Sequence, residues 1–166
     1  IERMRALAAK QSLAPQLLDL NEVTHDILRL VAGDVRRRRV TLRSEFLPSL
    51  PAITGDRVCL QQVVLNLLLN AMDAMDQVTG ERRLVVRTHR LEDTVEVSVS
   101  DTGRGITAER MPKLFDPFFT TKERGLGLGL AIARSLVEAH GGRIWAEDHD
   151  GHGATFHVAL PVTATM

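Results

Sequence analysis

A chain of 166 residues is long enough for one compact domain with a two-layer core, and its 21 basic and 21 acidic side chains cancel. That balance removes the general positive field of a nucleic-acid binder, and a single cysteine, Cys59, excludes an internal disulfide scaffold. No apolar run approaches the ~20 residues of a membrane span and no secretory leader is evident, so a cytoplasmic location is expected, with membrane anchoring of a parent protein left open.

The opening stretch "IERMRALAAK" puts Ile1, Met4, Leu7 and Ala8 on one helical face and begins inside that pattern without a Met. It reads as the tail of a helix from a preceding module, so the chain is expected to be a piece of something longer. Residues 12–15 break it. Asn21 is the expected N-cap of a helix whose Val23, Ile27, Leu30, Val31 and Val35 share a face. "RRRR", Arg36 to Arg39, reads as a solvated helix end that suits the dipole rather than as a nucleic-acid patch. "VTLRSEF" alternates as a strand, Pro48 and Pro51 mark a loop, and Gly55-Asp56 opens a helix reaching about Gln77. "RLVVRTHR" and "TVEVSVS", joined at Glu92-Asp93, predict a hairpin. Residues 102–126 lack periodicity and are either disordered or functional at that length. A helix from about Leu128 to His140, a Gly141-Gly142 stop and the strands "RIWAED" and "TFHVAL" complete the chain. Such an order favours helices layered on one face of a mixed sheet.

Three segments carry chemistry. In "CLQQVVLNLLLNAMDAM", Gln62, Asn66, Asn70 and Asp73 fall on one stripe of an otherwise apolar helix. Solvent-facing stripes favour Lys, Glu and Arg, so two asparagines and an aspartate amid leucines point to a ligand, and their oxygens suit a hard cation such as Mg²⁺. In "VSVSDTGRGI", Asp101 ends a strand ahead of Gly103 and Gly105. An ionised carboxylate is acceptor-only and selects a ligand that donates, such as an exocyclic amine; an ordinary Asp-Gly turn is the alternative. In "GLGLGLAIARSLVEAHGG", Gly125, Gly127 and Gly129 lead into a helix whose N-terminal N–H groups form an anion site, with the glycines leaving room for phosphate oxygens. A flexible hinge is the alternative there. Neither a Walker loop nor a dinucleotide fingerprint fits.

The order of these segments, with "LFDPFFTTK" between the last two, resembles the catalytic ATP-binding domain of sensor histidine kinases of two-component systems. That domain belongs to the superfamily of gyrase, heat-shock chaperones and mismatch-repair ATPases. "NLLLNAMDAM", "DTGRGI", "LFDPFFTTK" and "GLGLGL" are similar to its N box, first glycine box, F box and second glycine box, and the match covers about residues 40–160. The resemblance implies an α+β fold: a two-layer sandwich, with a mixed sheet of about five strands covered on one face by about three helices and a flexible ATP lid. It divides the chain into 1–18, a tail of the dimerisation helix and linker, and 19–166, the catalytic domain.

By matching position, Asp101 would accept from the adenine amino group, with Gly103, Gly105 and Ile106 bordering the pocket and Thr155 on the base side. Asn70 and Asn66 would hold Mg²⁺, with Asp73 nearby. Phe115, Phe118 and Phe119 would anchor the lid. Thr121 and Lys122 would face the phosphates, Lys122 with its charge, and Gly125, Leu126, Gly127, Leu128 and Gly129 would form the backbone cradle. The implied partners are a histidine-containing dimerisation domain of the same protein, a response-regulator receiver domain and a second copy in a homodimer; no nucleic acid is implied. Leu126 departs from the family, which usually has Thr there, and no acceptor-histidine segment accompanies the domain. Two rivals remain: a superfamily ATP hydrolase, which would need a Glu where Asn66 stands, and a non-catalytic nucleotide sensor.

Overall fold

Alternating apolar residues in five segments build one sheet. In this computed structural model, which describes residues 14–120 and 127–163, the strands are β2 (Thr41–Glu45), β4 (Arg83–Leu91), β5 (Thr94–Asp101), β6 (Arg143–Asp148) and β7 (Ala154–Pro161). Their spatial order is β2-β4-β5-β7-β6; β2 runs parallel to β4 and every other pair is antiparallel, giving the expected mixed sheet. Three described helices cover one face: α1 (Leu20–Arg37), α2 (Arg57–Ala74) and α3 (Gly129–Ala139). The expected helical tail at residues 1–8 lies outside the described residues, as do Thr121, Lys122, Gly125 and Leu126.

Pleat alternation sorts β5 into two faces. Val95, Val97 and Val99 enter the core against α2, while Glu96, Ser98 and Ser100 point the other way. In α2, Leu67, Leu68, Ala71 and Met72 are fully enclosed, and truncating such a leucine costs ~2–5 kcal/mol. This helix is therefore the central beam of the domain.

Caps set the helix starts. Asp19, not Asn21, caps α1: its carboxylate accepts from the Asn21 N–H at 2.9 Å. Asn21 is already the second residue of the helix, and its side chain donates to Leu47 O and accepts from the Thr88 hydroxyl instead. Both residues are good caps locally, and the tertiary bonds of Asn21 separate them. Asp56 caps α2 through the Cys59 N–H at 3.0 Å and also takes the Ala14 N–H at 3.0 Å, and these donors hold its carboxyl below the usual range. The N–H of Asp56 donates to His140 Nε2, while His140 Nδ1 donates to Leu136 O, so the end of α3 is pinned to the start of α2.

Two short strands escaped the sequence pattern. Strand β1 (Gln16–Leu18) pairs antiparallel with β3 (Ile53–Gly55), drawing residues 16–18 onto the globular unit. Three-residue strands are too short for alternation to announce them.

Candidate functional site

The cavity between α2, the end of β5 and the start of α3 has a volume of about 440 Å³. Asn66, Asn70 and Asp73 reach it from α2, Asp101 from the end of β5, Gly105 and Ile106 from the loop that follows, and Gly127, Leu128 and Gly129 from the start of α3. Residues 60 positions apart thus converge on one crevice, as the motif order requires.

Asp101 is the electrostatic anomaly of this cavity. It is 5 % exposed, its Oδ1 accepts the Gly103 N–H at 2.8 Å, and its Oδ2 has no hydrogen-bond partner among the described residues. Burial pushes the carboxyl up to about 6, against the lowering effect of the Gly103 and Ala154 N–H groups. A buried carboxylate oxygen without a partner costs ~1–3 kcal/mol or more, a cost that a donating ligand would remove. Gly103 sits outside the lining: a Cβ there would lie 2.5 Å from Ala74 O, so its glycine serves close packing of the loop on α2. The Arg104 N–H seals that contact by donating to Ala74 O.

The amide stripe is ordered by its own bonds. Gln62 donates to Asn66 Oδ1 at 2.7 Å, and Asn66 donates to Gly129 O at 2.9 Å, tying α2 to the first turn of α3. Asn70, half-buried, has no hydrogen bond among the described residues. Asp73 accepts from Arg38 at 2.8 Å, and Arg38 also reaches Asp76 at 3.3 Å. One arginine of the "RRRR" run therefore binds the carboxylates at the end of α2 rather than merely facing solvent.

Two glycines of the "GLGLGL" stretch divide their work. Gly127 has φ +71°, and a Cβ there would lie 2.6 Å from the Phe118 carbonyl carbon, so the loop's own backbone demands it. Gly129 has only Asn66 at 4.0 Å and leaves open space beside the stripe. The N-cap residue Leu128 supplies no side-chain hydrogen bond, so among the described residues the N-cap position leaves the first N–H groups of α3 without a side-chain cap.

This combination carries a family signature, and residues 55–164 match the family model "Histidine kinase-, DNA gyrase B-, and HSP90-like ATPase". The chain belongs to that family. Among relatives, it is 40% identical over 161 residues to the sensor protein FixL of Bradyrhizobium diazoefficiens, covering 97% of this chain and 32% of that one. It is 39% identical over 165 residues to the sensor histidine kinase ZraS of Escherichia coli K12, covering 99% and 35%. The chain thus spans about a third of the length of these curated relatives. The nucleotide-free catalytic domain of histidine kinase ThkA superposes with a TM-score of 0.80 at 34% identity, covering 90% of this chain and 96% of that one. ThkA in complex with the response regulator TrrA superposes with a TM-score of 0.80 at 29% identity, covering 98% and 47%.

Besides Gly103, two expected roles in this ATPase domain do not match their positions. Thr155 is not in the cavity lining: β7 alternation turns Ala154 and Phe156 inward, and the Thr155 hydroxyl bonds Ser100 at 2.7 Å and His149 at 2.6 Å on the opposite face. Ala154 is the residue registered against Asp101, one position earlier than the sequence reading placed the contact. Phe118 is 57 % exposed and outside the apolar core of the described residues, whereas Phe115 packs edge-on against Phe156, centroids 6.3 Å apart, and Phe119 lines the cavity. Conversely, Arg104 and Arg110 line the cavity although no sequence signal singled them out. Arginines in an irregular loop show no periodicity that would reveal their direction.

Proposed function

We propose that this ATPase domain binds Mg-ATP in the crevice described above. In a longer sensor kinase, it transfers the γ-phosphate to a histidine of that protein's dimerisation domain, for relay to a receiver domain. The observation that carries the reading is the unpartnered, buried Oδ2 of Asp101, an acceptor suited to the adenine amino group. The uncapped start of α3 offers backbone N–H groups and a positive dipole end to the phosphates. Asn70, with Asn66 beside it, has the oxygen donors that Mg²⁺ accepts, and bound Mg²⁺ would neutralise phosphate charge. Thr121, Lys122, Gly125 and Leu126 belong to the same proposal as further phosphate contacts, and Asp73 as a neighbour of the metal.

The chemistry asks for positioning: a histidine nitrogen forms a bond to the γ-phosphorus, the bridging P–O bond breaks, and ADP leaves. A second copy in a homodimer, a division of the chain ahead of β1 rather than after residue 18, and a cytoplasmic location complete the reading. Among the described residues no helix is long and apolar enough to cross a membrane. The hydrolase rival is weaker because the position that would hold its general base is Asn66, whose amide is engaged in pinning Gly129.

Mixing the domain with a separately prepared acceptor-histidine domain of the parent protein and radiolabelled ATP tests this. Acid-labile label on the acceptor is expected. ATP binding without any transfer to a correctly docked acceptor would overturn the kinase assignment, and rapid phosphate release by the domain alone would favour hydrolysis.

A further inference from the structure

The loop after Asp101 is held by hydrogen bonds from three backbone N–H groups. Gly103 donates to Asp101 Oδ1, Arg104 donates to Ala74 O, and Ile106 donates to Asp148 Oδ1 at 2.8 Å. The first two bonds fix the beginning of the loop. The third fixes its far end to a different part of the sheet, the last residue of β6, 42 positions away.

Asp148 is well placed for this task. The turn from β6 to β7 folds back on itself, with the His149 N–H donating to Gly153 O at 2.9 Å, and the second carboxylate oxygen of Asp148 takes the Gly151 N–H at 3.3 Å. Its Oδ1 then extends across to the loop. A Cβ on Gly105 would lie 2.5 Å from that oxygen, so the glycine permits the approach. Ile106, 8 % exposed, lines the cavity together with Asp101 and Gly105. A hydrogen bond to a carboxylate is stronger than one to a neutral acceptor, and it adds direction to the apolar burial of Ile106, the one buried apolar side chain of residues 102–106.

We propose that Asp148 is a positioning residue of the nucleotide site: through the Ile106 N–H it holds the wall of the base end at a fixed distance from Asp101. This rests on the nucleotide reading above. Asp148 touches no ligand in this scheme; it acts by restricting where Gly105 and Ile106 sit.

Asp148→Ala and Asp148→Asn in the full 166-residue chain test it. ATP and GTP affinities are measured by calorimetry, and amide exchange of Ile106 by NMR without nucleotide. Asp148→Ala is expected to weaken ATP by about tenfold, to narrow the ATP-over-GTP preference, and to speed Ile106 exchange about tenfold. Asp148→Asn keeps an oxygen acceptor and is expected to restore both readouts to within about twofold. Wild-type ATP affinity in Asp148→Ala, or a loss that Asp148→Asn fails to recover, would overturn the proposal while leaving the nucleotide reading intact. Absence of ATP binding by the wild-type chain would overturn the nucleotide reading and this proposal together.

Discussion

The two ends of the cavity are built on opposite plans. At the β5 end, a single carboxylate is buried, its surroundings are fixed by strand register, and its free oxygen waits inside protein. At the α3 end, half-buried amides and an uncapped helix start face open space. Burial makes one hydrogen bond at the first end strong and selective, because a wrong ligand leaves the carboxylate unsatisfied. The second end attracts charge through several weak, partly screened contributions. On the proposed reading, selectivity for the base and attraction for the phosphates are therefore separable.

The largest expected effect breaks the β5 end. Asp101→Asn should weaken ATP, ADP and adenosine alike by about 100-fold, because an acceptor-only group is replaced by one that also donates. The nucleotide-free fold should be no less stable, since the variant also removes a buried charge; a large fall in melting temperature would mean that Asp101 serves the fold instead. Acidification is the milder form of the same change. With the Asp101 carboxyl raised to about 6, ATP affinity should fall about tenfold per pH unit below that value, and Asp101→Asn should be flat. The sign for stability is opposite. The free carboxyl titrates near 4, so ionisation costs the folded state about 2–3 kcal/mol, growing as pH rises from about 4 through about 6. Chemical denaturation of the wild type and the Asn variant across that range checks it.

The α3 end should respond differently. Asn70→Ala should lower ATP affinity by about tenfold in the presence of Mg²⁺ and leave adenosine unchanged, as measured by calorimetry. An equal loss for adenosine would move Asn70 to the base end and collapse the distinction. Salt should have the smallest effect. Raising NaCl from 50 to 500 mM is expected to weaken ATP a few-fold, roughly, and adenosine hardly at all, because screening acts on exposed charge and not on the buried acceptor.

The sequence was legible where chemistry is local. Periodicity located the strands of the five-stranded sheet and the three described helices, and residue type picked out Asp101, Asn66, Asn70, Gly127 and Gly129, which line the cavity. Its errors share one origin. Asn21 and Asp19 are equivalent caps until Thr88 and Leu47 engage Asn21; Thr155 and Ala154 are adjacent until strand register turns one inward. Gly127 lines the cavity as the sequence suggests, but the Phe118 and Phe119 backbone that also excludes a side chain there was not legible in the sequence.

What the sequence determined by itself was the set of chemical groups and the elements that carry them, since capping, alternation and helical spacing act over a few residues. Only the tertiary structure decided which oxygen of Asp101 stays unpaired, which residue faces it from β7, and that Asp148 reaches Ile106. Those outcomes depend on contacts between positions far apart in the chain, and no local preference distinguishes the partners.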